Sequence, residues 1–159
     1  MILPFGVQFH ADQRLFVWRP RGLVTEEIVS DLVAALGQLE AELREPFNRF
    51  SDTAGVDQIA VNYDYVISVS LYRRFAYALR PPIKSAILAI DPTLVHIAQV
   101  HRLLTQGSPI EVRVFPDDRP AIAQWLGVSV DLLAAAPSSG DMADEPRSTH
   151  PDAQLRKNG

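Results

Sequence analysis

IEVRVFPDDRPAIAQWLG, residues 110–127, is the stretch whose reading decides the fold. Ile110 to Phe115 has the length and apolar content of a strand, and Asp117 or Asp118 caps a helix that carries Ile122, Trp125 and Leu126 on one side. A strand that passes through a tight acidic turn straight into a helix is the repeating half of a parallel α/β sheet. The same grammar extends backwards. Lys84 to Ile90 (KSAILAI) is a continuous apolar run of strand length, the pattern of a central strand covered on both faces. Asp91-Pro92-Thr93 then opens a helix through Gln106 with Leu94, Ile97, Val100 and Leu104 inward, and Gly107 is a natural residue just past its end.

The segment upstream carries two periods at once. Val61, Tyr63, Tyr65, Ile67, Val69 and Leu71 alternate as a strand would, whereas Val66, Val69, Phe75, Ala76 and Leu79 share a helical face. Its length exceeds a typical strand, and Asn62 with Asp64 supplies a cap and a first-turn anion, so the segment is predicted to be a helix ending at Pro81-Pro82. Phe47 to Asp52 reads as a strand followed by a turn at Ala54-Gly55. Before it, Thr25 caps a helix with Glu26 and Glu27 in the first turn and Ile28, Val29, Leu32, Val33, Leu36, Leu39 and Leu43 as its apolar face, ending near Pro46. Phe5 to Phe9 and Arg14 to Arg19 form a hairpin about His10-Ala11-Asp12-Gln13, and Pro20 and Gly22 stop the second strand.

The predicted order is therefore ββαβαβαβα. This is an α/β fold with a mostly parallel five-stranded sheet, right-handed crossovers and an antiparallel first strand. The domain is expected over residues 1–128. Residues 129–159 hold a brief helical hint at Val130 to Ala136. A stretch rich in Pro, Ser and Asp follows and is expected to be largely disordered. Removing 137–159 should then leave thermal stability nearly unchanged.

Composition narrows the function. The chain of 159 residues is 47% hydrophobic and 21% charged, ordinary values for a globular domain. A net charge of −4 argues against nucleic acid as the main partner, and no apolar run reaches the length of a membrane span. The start MILPFGVQF has no basic region ahead of a long apolar one, so no signal peptide is expected and a cytoplasmic location follows as the default. The absence of cysteine removes disulfides, thiolate metal sites and cysteine nucleophiles. No glycine-rich phosphate loop, nucleophile elbow or metal-ligand cluster stands out, and no cofactor is expected.

Taken together, Arg49-Phe50-Ser51-Asp52-Thr53, Arg73-Arg74, Pro82-Ile83-Lys84-Ser85-Ala86, Val114-Phe115 and Ala123-Gln124-Trp125-Leu126-Gly127, in this order and spacing, resemble the STAS domain. The name stands for sulfate transporter and anti-sigma-factor antagonist. The likeness is to its bacterial sporulation-antagonist-like branch and covers roughly residues 5–128. The resemblance implies a non-catalytic regulatory module that binds a protein, an anti-sigma factor or another regulator, through a switch serine ahead of the second helix. The family's Asp-Leu-Ser-Gly-Val strand end is matched by Asp52-Thr53-Ala54-Gly55-Val56. The Ile-Asp-Ser-Ser-Gly that follows would fall on Ile59-Ala60-Val61-Asn62-Tyr63, so Val61 and Asn62 stand where the serines should be, leaving Ser51 or Thr53 as substitutes.

Asp52 and Thr53 follow a strand at the end of the sheet where open α/β folds bind ligands, although a turn-forming aspartate would look the same. With Asn62 they form one half of an expected docking surface. Tyr72, Arg73, Arg74, Tyr77 and Arg80 form the other, a cationic aromatic patch on the second helix whose plain alternative is a solvated face. His96 and His101 lie five apart, which does not aim both rings at one metal, and read as polar edge residues. Asp117-Asp118 is explained by a helix cap. Serines 51, 68, 70 and 85 have no histidine nearby in sequence. The alternative to protein docking is an apolar small molecule or lipid, because the fold is similar to that of lipid-transfer CRAL-TRIO domains. Tyrosines 63, 65, 72 and 77 would then line a cavity between the helices and the sheet. A homodimer is left open.

Overall fold

A computed structural model describes residues 2–134. Its main sheet has five strands in the order β1-β2-β4-β6-β7. The first pair, β1 (Val7–His10) and β2 (Leu15–Trp18), is antiparallel, with His10 opposite Leu15. The other pairings, of β2 with β4 (Asn48–Asp52), β4 with β6 (Ile83–Leu88) and β6 with β7 (Ile110–Phe115), are parallel. The helices are α1 (Glu26–Glu42), α2 (Tyr63–Ala76), α3 (Pro92–Thr105) and α4 (Arg119–Leu126). This is the α/β architecture expected.

The caps fall where the chemistry of short polar side chains puts them. Thr25, Asn62, Asp91 and Asp118 each accept a hydrogen bond from a first-turn amide. At the other ends, Gly107 (φ +85°) and Gly127 (φ +70°) take the left-handed conformation that glycine adopts without steric cost.

Residues alternate across the sheet, which gives it two unlike faces. Leu15, Val17, Phe50, Ala86 and Leu88 project to one side and pack with Ile122, Ala123 and Leu126 of α4 into a closed apolar core. Phe16, Trp18, Arg49, Ser51, Ser85 and Ile87 project to the other, beneath α1, α2 and α3.

Three expectations are corrected. A second, two-stranded parallel sheet pairs β3 (Gly22–Thr25) with β5 (Val56–Ala60), where no strand was expected. Each strand is short, and their pairing joins segments more than thirty residues apart in sequence, beyond the reach of a local pattern. Helix α2 ends at Ala76 rather than at the prolines, and it is rotated. Its buried side carries Val66, Ser70 and Arg73, followed by Tyr77, while Phe75 and Leu79 are exposed. Beyond residue 128, the helical hint at Val130 to Ala136 has a counterpart in the structure. Val130–Leu133 forms a 3-10 turn that drives Leu133 into the α4 core at 0% exposure. The rest of the predicted tail, residues 135–159, lies outside the described residues.

Candidate functional site

Parallel strands covered on both faces are ordinarily apolar throughout. Here β4 and β6 place Arg49, Ser51 and Ser85 on the helix-covered face, and Arg49 and Ser85 are direct register partners. Above them the helices do not close down. A cavity of about 200 Å³ remains, walled by apolar residues such as Val29, Val33, Val66, Leu94, Ile97 and Ala98. Val24 of β3 and Val56 and Ile59 of β5 line it too, so the small sheet forms part of its wall.

The polar end is built from three elements, α1, β4 and α2, and the segments flanking β4 and α2. Glu40 on α1, although 91% buried, accepts from Arg49 Nη2 of β4 at 2.6 Å and from Arg73 of α2 through the same oxygen. Arg80 donates to the Glu40 carbonyl at 3.0 Å and lies 3.9 Å from its carboxylate. The Arg49 guanidinium also sits 5.0 Å from the Phe47 ring centre and 5.2 Å from that of Tyr77, a sandwich that fixes its plane. Burial pushes Arg49 down to about 10, against the attraction of Glu40. It also pushes the Tyr77 phenol up.

On the helical wall, Ser70 Oγ and His101 Nδ1 are 2.7 Å apart. Burial, helped by the positive charge of Arg73, lowers His101 to about 4, so its imidazole is neutral at pH 7. In hydrolytic triads a carboxylate orients and supports the base. The charged neighbour of His101 is instead a guanidinium, which opposes imidazolium formation, and so weak a base is poorly suited to taking a proton from Ser70.

The candidate residues scatter around this centre. Asp52 is on the opposite sheet face, where it takes Arg119 at 2.7 Å, Arg19 at 3.8 Å and the Ala54 amide at 3.1 Å. Arg19 and Arg119 also donate to the Leu132 and Leu133 carbonyls, which ties the 3-10 turn to the sheet. Thr53 reaches the cavity, but its hydroxyl donates to the Leu88 carbonyl at 2.7 Å. Asn62 caps α2. The cationic aromatic patch does not form as a surface. Arg73 and Tyr77 are buried at 5% and 3% exposure, because Glu40 compensates the first and Arg49 stacks on the second. Tyr72 stays exposed, Arg74 donates to the Leu104 carbonyl, and Arg80 bends towards Glu40.

His96 is exposed beside Tyr63, whereas His101 is no edge residue. Of the four tyrosines proposed as lining, Tyr65 alone borders the cavity, and its hydroxyl donates to the Glu26 carbonyl. Arg49, Ser85, Ser70, His101 and Glu40 were not singled out by the sequence as site residues. Their signal was polar residues at inward positions of the most apolar elements. Among the described residues there is no cluster of three His, Asp or Glu side chains able to hold a metal, and no helix long and apolar enough to cross a membrane.

No known protein family and no curated protein matches the chain. Among solved structures it is similar to an uncharacterized protein of the DUF3478 family with a SpoIIAA-like fold from Shewanella loihica PV-4. The two share 15% identity over 76% of this chain and 90% of that one, with a TM-score of 0.50. The likeness is one of fold. The chain therefore has the SpoIIAA-like, STAS-type fold that its motifs resemble.

Proposed function

We propose that this protein is a non-catalytic binding module whose occupant is a small, largely apolar molecule held between the sheet and helices α1 to α3. One observation carries the reading: a cavity of about 200 Å³ on a sheet face that should otherwise be closed by side chains. An apolar cavity of about 150 Å³ is known to take benzene, so a molecule of that bulk or somewhat larger matches this space. Native mass spectrometry of freshly purified protein is expected to show a small-molecule adduct. Ala98→Leu, which adds three carbons of bulk at the cavity wall, is expected to remove the adduct and raise the melting temperature. An adduct-free protein whose Ala98→Leu variant melts lower would count against the reading.

A second reading, docking of a protein partner, draws on α2. Tyr63, Ile67, Leu71 and Phe75 are spaced at i, i+4 and continue to Leu79, and all but the half-buried Leu71 are exposed. The surface would thus be apolar rather than cationic. If it docks a partner, Phe75→Ser with Leu79→Ser abolishes capture of that partner while stability shifts by no more than about 0.5 kcal/mol. Unchanged capture sinks this reading.

A further inference from the structure

We infer that the molecule in the cavity carries a carboxylate, and that Arg49 and Ser85 receive it on the floor formed by β4 and β6. The inference rests on the cavity being a ligand site, as proposed above.

Arg49 lines the cavity at 6% exposure, and its Nε is buried with no acceptor among the described residues. A buried donor without an acceptor is costly, and more so when it is charged. The rest of the side chain is pinned by Glu40 and by the Phe47 and Tyr77 rings, so it cannot swing out to water to find a partner. Ser85, its register partner on β6, lines the same space and can supply a hydroxyl donor.

Charge points the same way. Two buried guanidiniums, Arg49 and Arg73, share the single carboxylate of Glu40, which leaves one positive charge uncompensated inside the protein. Arg80 adds to the excess from a side chain 40% exposed, where water screens it. The remaining groups facing this end, Ser70 on α2 and His101 on α3, contribute no charge, since the imidazole is held neutral. An excess of one calls for a monoanion. A planar carboxylate accepts from guanidinium and hydroxyl donors together, and a singly charged head suits this end better than a phosphate dianion. The apolar remainder of the space calls for a hydrocarbon body. A short-chain or aromatic monocarboxylic acid is the class that satisfies both.

The test is calorimetric titration of the full chain at pH 7 with hexanoate, 1-hexanol and acetate. Hexanoate should bind about tenfold or more tightly than 1-hexanol, the value of one charged hydrogen bond, and acetate should bind more weakly than hexanoate. In Arg49→Met, in which Glu40 keeps Arg73, hexanoate should fall to the affinity of 1-hexanol. Equal binding of acid and alcohol in the wild type, or a preference that survives in Arg49→Met, overturns the inference and leaves the binding-module reading standing. Binding of neither hexanoate nor 1-hexanol overturns both. If Arg49→Met does not fold, the wild type decides. Hexanoate labelled with 13C at its carboxyl should stay ionised to lower pH when bound than when free, and a bound carboxyl that titrates at or above its free value overturns the inference.

Discussion

Arg73 shows what a single residue can and cannot announce. In sequence it is one of two adjacent arginines near the end of a helix, the position where a solvated cation interacts well with the helix dipole. Its burial depends on Glu40, thirty-three residues away and also buried, and neither residue alone hints at the other. Spacing did hold a clue, since Val66, Ser70, Arg73 and Tyr77 follow a four-three-four step that keeps one helix face inward. His101 shares that buried environment and gives it a pH dependence. Its imidazole titrates near 4 when folded, against an ordinary 6.5. Between those values the unfolded chain holds more protons, so stability falls as pH drops from about 6.5 to about 4. Chemical denaturation across that range should show the decline, and His101→Gln should flatten it. An equally steep decline in the variant would place its origin in another group.

At the scale of elements, the strands and helices that pack on the main sheet were legible because all but α2, which carries two periods at once, have a single period of their own. The capping residues Thr25, Asn62 and Asp91 were read at their true positions for the same reason, and of Asp117 and Asp118, both left open, Asp118 is the cap. What escaped was β3 and β5, each defined by the other rather than by its own pattern, and the last turn of the domain. That turn, Val130–Leu133, reads in sequence only as a brief helical hint ahead of a polar stretch, yet its one fully buried side chain completes the α4 core. Leu133→Ala is expected to cost about 2–5 kcal/mol, the range for a buried leucine, as read from a denaturant midpoint. A chain ended at residue 128 should lose at least as much, because Arg19 and Arg119 also lose the carbonyls they hold. A loss below about 1 kcal/mol in both would show that the turn does not complete the core.

Over the whole molecule, one sheet serves two purposes. Its α4 side is closed apolar packing, whereas its other side keeps polar groups and an unfilled space beneath three helices. The sequence held a trace of that division, since NRFSD and IKSAIL interleave polar residues, but KSAILAI reads first as a continuous apolar run covered on both faces. Which of the two faces would stay open depended on helix rotation. The small β3–β5 sheet is the weakest part of the enclosure, because a two-stranded sheet has little stability of its own. Amide exchange in β5 is expected to run through local opening, well ahead of exchange in β4 and β6, and to slow when hexanoate is bound. Uniform protection across both sheets would contradict this.

A wall that opens separately from the core also sets a clock. Entry and exit of any occupant would be timed by the opening rate of β3–β5 and not by the chemistry of its head group. A stabilising change such as a better β3–β5 pair would then lengthen residence time and slow association together, leaving the equilibrium affinity nearly where it was.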